Sequence, residues 1–353
     1  MSRDSFQPDS CLQDVRDPLA SSGIYFQWHF LEACNFKCQH CYQDNYSNEK
    51  PSIALLDSVY SQISTAVSTW KRSARVSLTG GEPFLYKDRL FYLLEKLEAD
   101  PCFYWVGILT NGSLIDKETA ARLRKYSKLK EVQISFDGAT ADVHDVVRGI
   151  GAYSKALSGL HHLTNANIST AIMFTLNKKN RLHAAPIIQF AADNNVDAIT
   201  VERYIPIGNT NDQALDLSAE EVREAYASVI EMKKKLIEKN LPLKVRTSRP
   251  LWHLVDKSSG GFCPVGFSSL TILHDGTVLP CRRIPIPIGN ICNDGLFKIW
   301  YQSPILWDIR RKNRLKAGCL NCSEAHICGG CRAAAFAKTG DYLERDPHCW
   351  KQV

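Results

Sequence analysis

The chain lacks any long apolar run. Its most apolar stretches, such as HAAPIIQFAA and LPLKV, fall far short of the roughly 20 residues a helix needs to cross a bilayer. No membrane partner is expected. The first residues, MSRDSFQPDSCLQDVRDPLASSG, hold no apolar signal core, so residues 1–22 are expected to be a loose tail of a cytoplasmic protein. Strong charge of one sign is missing too. Net charge is +6, from 43 Lys and Arg against 37 Asp and Glu. Basic residues cluster only briefly, at RLRKYSKLK and DIRRKNRLK, which reads as a solvated surface and gives no nucleic-acid partner. Finally, the middle of the chain is poor in cysteine, with Cys102 alone between Cys41 and Cys263.

What is present is a globular composition with an unusual number of thiols. Hydrophobic residues make up 44% and charged residues 23% of 353 positions, enough for one large domain plus a smaller one. Thirteen cysteines occur. A signal-free chain is not expected to hold many disulfides, so clustered cysteines point to metal or redox chemistry. Three lie within 34–41 and seven at ordered spacings within 263–349, while Cys11, Cys102 and Cys292 stand apart.

Between the two clusters the pattern alternates. Strand-like runs occur at GIYFQWHF, ARVSLTG, FYWVGILTNG, KEVQISFDG, ISTAIMFTLN and AITVERYIPIG, with helical patterns over 54–71, 87–98, 117–127, 152–165 and 182–194. Ser218 and Glu221 then form an S-x-x-E capping box that opens a helix to about Lys239. Such alternation predicts an α/β fold with a parallel sheet, whose chemistry gathers at the carboxyl ends of the strands. Cys34, Cys38 and Cys41 follow the first strand and Gly80-Gly81-Glu82-Pro83 the second. Thr110-Asn111-Gly112 follow the third, and Ser135 and Asp137 sit at the fourth.

The stretch ACNFKCQHCYQ sets three soft ligands at C-x3-C-x2-C spacing. A structural zinc ion wants a fourth protein ligand, and the only nearby one, His40, is wedged inside the same loop. Three thiols facing a strand-end pocket suit a [4Fe–4S] cluster with one open iron. With Tyr42 directly after, the motif resembles that of the radical S-adenosylmethionine (SAM) superfamily, and the match runs from about Ile24 to Gly208. The resemblance implies a partial (β/α)6 TIM-type barrel over 23–210. It also implies that the open iron is chelated by the amino and carboxylate groups of SAM. One electron then breaks the S–C5′ bond and yields a 5′-deoxyadenosyl radical, with flavodoxin or ferredoxin as the kind of donor. Carried over by position, Cys34, Cys38 and Cys41 hold this cluster, and Gly80, Gly81 and Glu82 line the SAM methionine. Ser135 and Asp137 are candidates for the ribose, and Arg148 for the carboxylate; the alternatives are a turn residue at Asp137 and a surface charge at Arg148.

In the C-terminal part, Cys263 precedes Gly276 by twelve residues, and four more lead to Cys281. Cys319-x2-Cys322-x5-Cys328-x2-Cys331 and Cys349 complete the series. Paired C-x2-C knuckles alone equally describe a zinc ribbon. Behind a radical SAM core they resemble the SPASM extension, which implies a small loop-rich iron–sulfur domain over 259–353 after a bridging helical region over 211–258. The hairpin pattern LHDGTVLPC fits its start. Cys319, Cys322, Cys328 and Cys349 would then complete one auxiliary cluster, and Cys263, Cys281 and Cys331 would hold another. No upstream cysteine supplies a fourth ligand, so that second site has an open iron, recruits Cys292, or is absent. Cys292 otherwise reads as a small buried hydrophobe.

The expected function is hydrogen abstraction from a bulky substrate, chiefly a peptide or protein undergoing maturation. Arg282-Arg283 stand directly after Cys281, where sulfatase-maturing members have an acid, which argues against formylglycine formation. A tetrapyrrole in a haem or haem d1 pathway is the alternative substrate, since arginines can grip its carboxylates. The 22-residue tail is too short for a leader-recognition domain. A non-catalytic iron–sulfur or zinc scaffold is the reading from a different class.

Overall fold

The computed structural model describes residues 23–43, 45–208 and 211–352. The expected tail over 1–22, with Cys11, lies outside the described residues. The chain alternates β1 (Gly23–Leu31), α1 (Ile53–Thr69), β2 (Ser73–Gly80), α2 (Lys87–Ala99), β3 (Phe103–Thr110), α3 (Lys117–Leu123) and β4 (Leu129–Ser135). There follow α4 (Ala141–Arg148), α5 (Ala152–Asn165), β5 (Thr170–Leu176), α6 (Pro186–Asp193), β6 (Ala198–Arg203), α7 (Ala219–Glu238) and the short β7 (Lys244–Arg246). β8 (Ser269–Ile272), β9 (Thr277–Leu279) and β10 (Gly289–Asn290) come from the C-terminal part.

These segments form their elements for local reasons. In β1, Ile24, Phe26 and Trp28 are buried against the helices, while Tyr25 and Gln27 between them point to the other face. Ser52 caps α1 through Leu55 N, and Leu56, Val59, Ile63 and Val67 then recur at helical spacing on its buried side. Each such buried aliphatic side chain contributes about 2 kcal/mol. The capping box of Ser218 and Glu221 is formed in full at the start of α7.

All strands belong to one sheet, in the order β10-β9-β8-β1-β2-β3-β4-β5-β6-β7. From β8 through β7 every neighbouring pair is parallel. The sheet curls into a partial barrel that does not close. Its curvature is visible in one ion pair: Arg246 on β7 donates to Glu131 on β4 (Nη1 to Oε1, 3.0 Å). Two strands separate them, so on a flat sheet their backbones would lie about 14 Å apart sideways. The pair therefore crosses the concave face.

Three expectations need correction. α4 was not expected, and it carries Arg148 at its C-terminal end. The region 211–258 is not purely helical, because β7 adds a strand to the sheet edge. The expected hairpin exists, with Gly276 in a left-handed conformation (φ +84°) at its turn. However, β8 also pairs with β1, so one sheet runs through both parts of the chain. Among the described residues no helix is long and apolar enough to cross a membrane.

Candidate active site

The loop with Cys34, Cys38 and Cys41 leaves β1 at the carboxyl edge of the sheet and is pinned from three sides. Gly81 N donates to Leu31 O (3.1 Å) and Glu82 N to Ala33 O (2.8 Å). This contact requires glycine. A Cβ on Gly80 would sit 2.1 Å from Leu31 O, and one on Gly81 2.1 Å from Ala33 O. From β3, Asn111 Nδ2 donates to Asn35 Oδ1 (2.9 Å), and Asn35 Nδ2 to Ser113 Oγ (2.9 Å). From α4, Val147 O accepts from Gln39 N (2.9 Å). Gln43 closes the loop base by donating to Glu32 O.

Glu82 is fully buried. Its carboxylate accepts from Thr110 Oγ1 (2.7 Å), Asn111 N (2.7 Å) and Phe84 N (3.1 Å). Burial nevertheless pushes its carboxyl up to about 7. Glu82 thereby ties the second strand end to the third.

Asp137 is likewise fully buried, and both its oxygens are taken. Oδ2 accepts from Arg148 Nε (2.6 Å) and lies 3.3 Å from His40 Nε2, while Oδ1 accepts from Thr175 N (2.8 Å). Burial acts to raise this carboxyl, but Arg148 and the neighbouring histidines hold it below the usual range. Asp137 thus braces Arg148, whose Nη1 reaches Cys38 Sγ at 3.8 Å. Arg148 is a buried, paired residue and not a surface charge. Ser135 ends β4, half-buried.

The donor set on this loop fits an iron–sulfur cluster. Burial pushes the Cys34 thiol up to about 12 and that of Cys38 up to about 11, so the thiolates need a strongly positive centre to form. His40 is no free fourth ligand on its Nε2 side, since that atom meets Asp137 and Arg148; burial lowers it to about 4.

In the C-terminal part, Cys319, Cys322, Cys328 and Cys349 line one pocket. Cys263, Cys281 and Cys331 pack instead around one apolar cluster that includes Tyr42, the residue after Cys41. The two sites thus adjoin through Tyr42, and the Arg282 guanidinium lies 4.8 Å above its ring. Asp346 links this second site to the barrel. It accepts from Cys331 N (2.7 Å) and pairs with both Nη atoms of Arg203 at the end of β6 (3.0 and 3.0 Å). Cys292 lies in a short turn of helix, half-buried beside Gly276.

Residues 28–191 match the model of the Radical SAM superfamily, and residues 263–323 match that of SPASM, an iron-sulfur cluster-binding domain. The chain is a radical SAM enzyme with a C-terminal SPASM domain. As such it takes [4Fe–4S] clusters and SAM. The chain is 27% identical over 340 residues to an AdoMet-dependent heme synthase of Methanosarcina barkeri, covering 91% of this chain and 95% of that protein. It is 29% identical over 345 residues to the mycofactocin maturase MftC of Mycobacterium ulcerans, covering 92% and 87%. Among solved structures, Streptococcus suis SuiB bound to S-adenosylmethionine shares the fold with a TM-score of 0.74 and 19% identity, covering 93% of this chain and 77% of that one.

Several residues around the two cysteine groups escaped the sequence: Asn35, Gln43, His144 and Asn180 near the first loop and Asp346 beside Cys331 act through tertiary contacts. His144 Nδ1 accepts from Asp137 N (3.2 Å), and Asn180 Nδ2 donates to Asp137 O (3.1 Å). Asn35 and Gln43 carried a signal, by lying inside the stretch that holds the three cysteines.

Proposed function

We propose that this radical SAM/SPASM enzyme abstracts hydrogen from a peptide or protein substrate held in the concave face of the sheet. The observation that carries this reading is the lining of that face. It is polar and charged in both signs: Arg75 stacks over Tyr25 and Trp105, Glu131 meets Arg246, and Glu202 lies between Arg249 and Arg283. A peptide offers amides and side chains of both signs to such a wall. A flat macrocycle needs broad apolar faces. When bound, the cluster supplies the single electron that cleaves SAM.

In this reading Cys34, Cys38 and Cys41 hold that cluster, and the Gly80–Glu82 turn with Arg148 faces the SAM methionine. Asp137 keeps Arg148 extended and charged. Cys319, Cys322, Cys328 and Cys349 hold one auxiliary cluster, while Cys263, Cys281 and Cys331 hold a second with one iron free of cysteine.

A second reading, tetrapyrrole modification, is favoured by the heme synthase relatives and by Arg282. This arginine is buried and has no acid partner among the described residues, so it is poised for a substrate carboxylate.

The test is direct. Protein reconstituted with iron and sulfide should form 5′-deoxyadenosine from SAM under dithionite. It is then given candidate precursor peptides or iron-coproporphyrin III, with product masses read by mass spectrometry. Loss of hydrogens from a peptide supports the first reading. Loss of carbon dioxide from the porphyrin alone would replace it with the second.

A further inference from the structure

Two polar side chains between the cysteine groups are buried without partners. His29, near the carboxyl end of β1, alternates with Tyr25 and Gln27 and so belongs to the concave face. It is 5% exposed, and its Nε2 has no hydrogen-bond partner among the described residues. Arg282, directly after Cys281, is 8% exposed. Its Nε is buried and unbonded, and no acid among the described residues pairs with its guanidinium. One ring joins the two. Tyr42 meets His29 edge-on, with 6.0 Å between ring centroids, and bears the Arg282 guanidinium 4.8 Å above its own ring. The three side chains form one group between the Cys34–Cys41 loop and the site of Cys263, Cys281 and Cys331.

The charges of this group do not balance. Burial, and then the positive charges of Arg282 and His274, hold His29 well below the usual imidazole range, so it stays neutral. Acids in the neighbourhood are committed elsewhere. Glu202 takes Arg249 and Arg283, and Glu32 lies 3.4 Å from His274. The thiols of the second cysteine group also have other cations: Cys281 and Cys331 act on Arg283, and Cys263 acts on Arg249. Arg282 is thus a buried cation with a π face on one side and no anion to complete it. What completes it carries a single negative charge. A carboxylate accepts from the guanidinium fork and from the N–H of a neutral imidazole. A phosphate dianion would leave its second charge buried and unmatched.

We propose that His29, Tyr42 and Arg282 form a subsite for one carboxylate of the substrate. Arg282 pairs its charge, His29 donates to it, and Tyr42 fixes the plane of the guanidinium. The proposal rests on the reading of the concave face as the substrate chamber, and it holds for both substrates considered above. A peptide brings a carboxylate at its terminus or on a side chain; a porphyrin brings its propionates. The step is binding alone, and no bond forms or breaks.

The test uses the reconstituted holoenzyme and two pairs of probes, with binding measured by calorimetry. Phenylpropionate against phenylpropionamide represents the carboxylate of a peptide residue. Iron-coproporphyrin III against its tetramethyl ester represents that of a porphyrin. In at least one pair the acid should bind wild type about tenfold more tightly than its neutral counterpart, and the pair that responds identifies the source. Arg282→Gln should erase the preference, and His29→Phe should reduce it. Without any probe, Arg282→Gln should raise the unfolding temperature, because it removes an unpaired buried charge. A lower unfolding temperature with loss of iron would make Arg282 a support of the cluster and overturn the subsite. Acids and neutral probes binding alike to wild type, or equal losses with both members of a pair in the variants, would overturn it too. So would a matching loss of SAM affinity, which would give the anion to SAM itself. An Arg282-dependent preference for acids, with no product from either substrate class, would instead remove the functional reading and leave the subsite standing.

Discussion

Glu202 Oε2 lies 3.3 Å from the guanidinium of Arg283, which follows β9, while its Oε1 accepts from Arg249 Nε at 3.0 Å. Glu202 sits on β6, near one edge of the sheet, and Arg283 comes from the hairpin at the other. An ion pair therefore spans the gap that hydrogen bonds leave open. Burial acts to raise Glu202, but Arg249, Arg283 and Arg203 together hold it below the usual carboxylate range.

Glu202→Ala should cost about 2 kcal/mol. That is less than the roughly 3–5 kcal/mol of a fully buried pair, because Arg249 is partly solvated. Urea unfolding of the holoenzyme checks this. A loss below a few tenths would mean that the sheet edges are held by packing alone.

Replacing Cys34, Cys38 and Cys41 together by Ala should abolish 5′-deoxyadenosine formation while iron at the auxiliary sites remains. Iron analysis and product assay read the two effects separately. Residual SAM cleavage under dithionite would move the reaction to another part of the chain.

Glu82 predicts a pH effect. Its folded-state value, about 7 against an ordinary 4.5, means the folded protein keeps a proton that the unfolded chain loses. Stability should therefore fall as pH rises from about 4.5 to about 7, with a slope of up to ~1.4 kcal/mol per unit. In Glu82→Gln that slope should vanish. Equal slopes in the two proteins would show that Glu82 is ionised throughout. Glu82→Ala should in addition weaken SAM binding without loss of iron.

Asp137→Asn leaves Arg148 buried beside an uncharged amide. The expected cost is about 3–5 kcal/mol, as for any buried pair broken on one side, with weakened SAM binding. Thermal unfolding and SAM titration check it; wild-type affinity for SAM would detach Arg148 from the SAM site.

Cys319→Ala with Cys322→Ala should keep reductive SAM cleavage yet abolish turnover of the true substrate, because a cluster with four protein ligands serves electron transfer. Soluble variant that lacks about one cluster of iron and still makes full product would leave this cluster a purely structural role.

The barrel strands and the first cysteine loop were legible because their evidence is local. β1 to β6 alternate with helices, and the three ligands share eight residues. α4 was not legible: its buried face carries His144 and Arg148 along with Val147, polar residues that hide a helical stripe. β7, three residues long, is a strand only because β6 pairs with it. Asp137–Arg148 and Arg203–Asp346 are tertiary facts, the latter joining residues 143 positions apart. The grouping of the auxiliary cysteines into two clusters rests on family resemblance alone, since their spacing fits a zinc ribbon equally well.

The Glu131–Arg246 pair has a consequence for what the enzyme can engulf. It crosses the concave face at the third residue of β4, whereas the chemistry lies at the strand ends, four residues and about 13 Å higher. The pair therefore sets opposite charges across the concave face below the strand ends. In the peptide reading proposed above, a segment entering from the strand ends meets this pair about 13 Å down, which favours a bend or a terminus over a threaded chain.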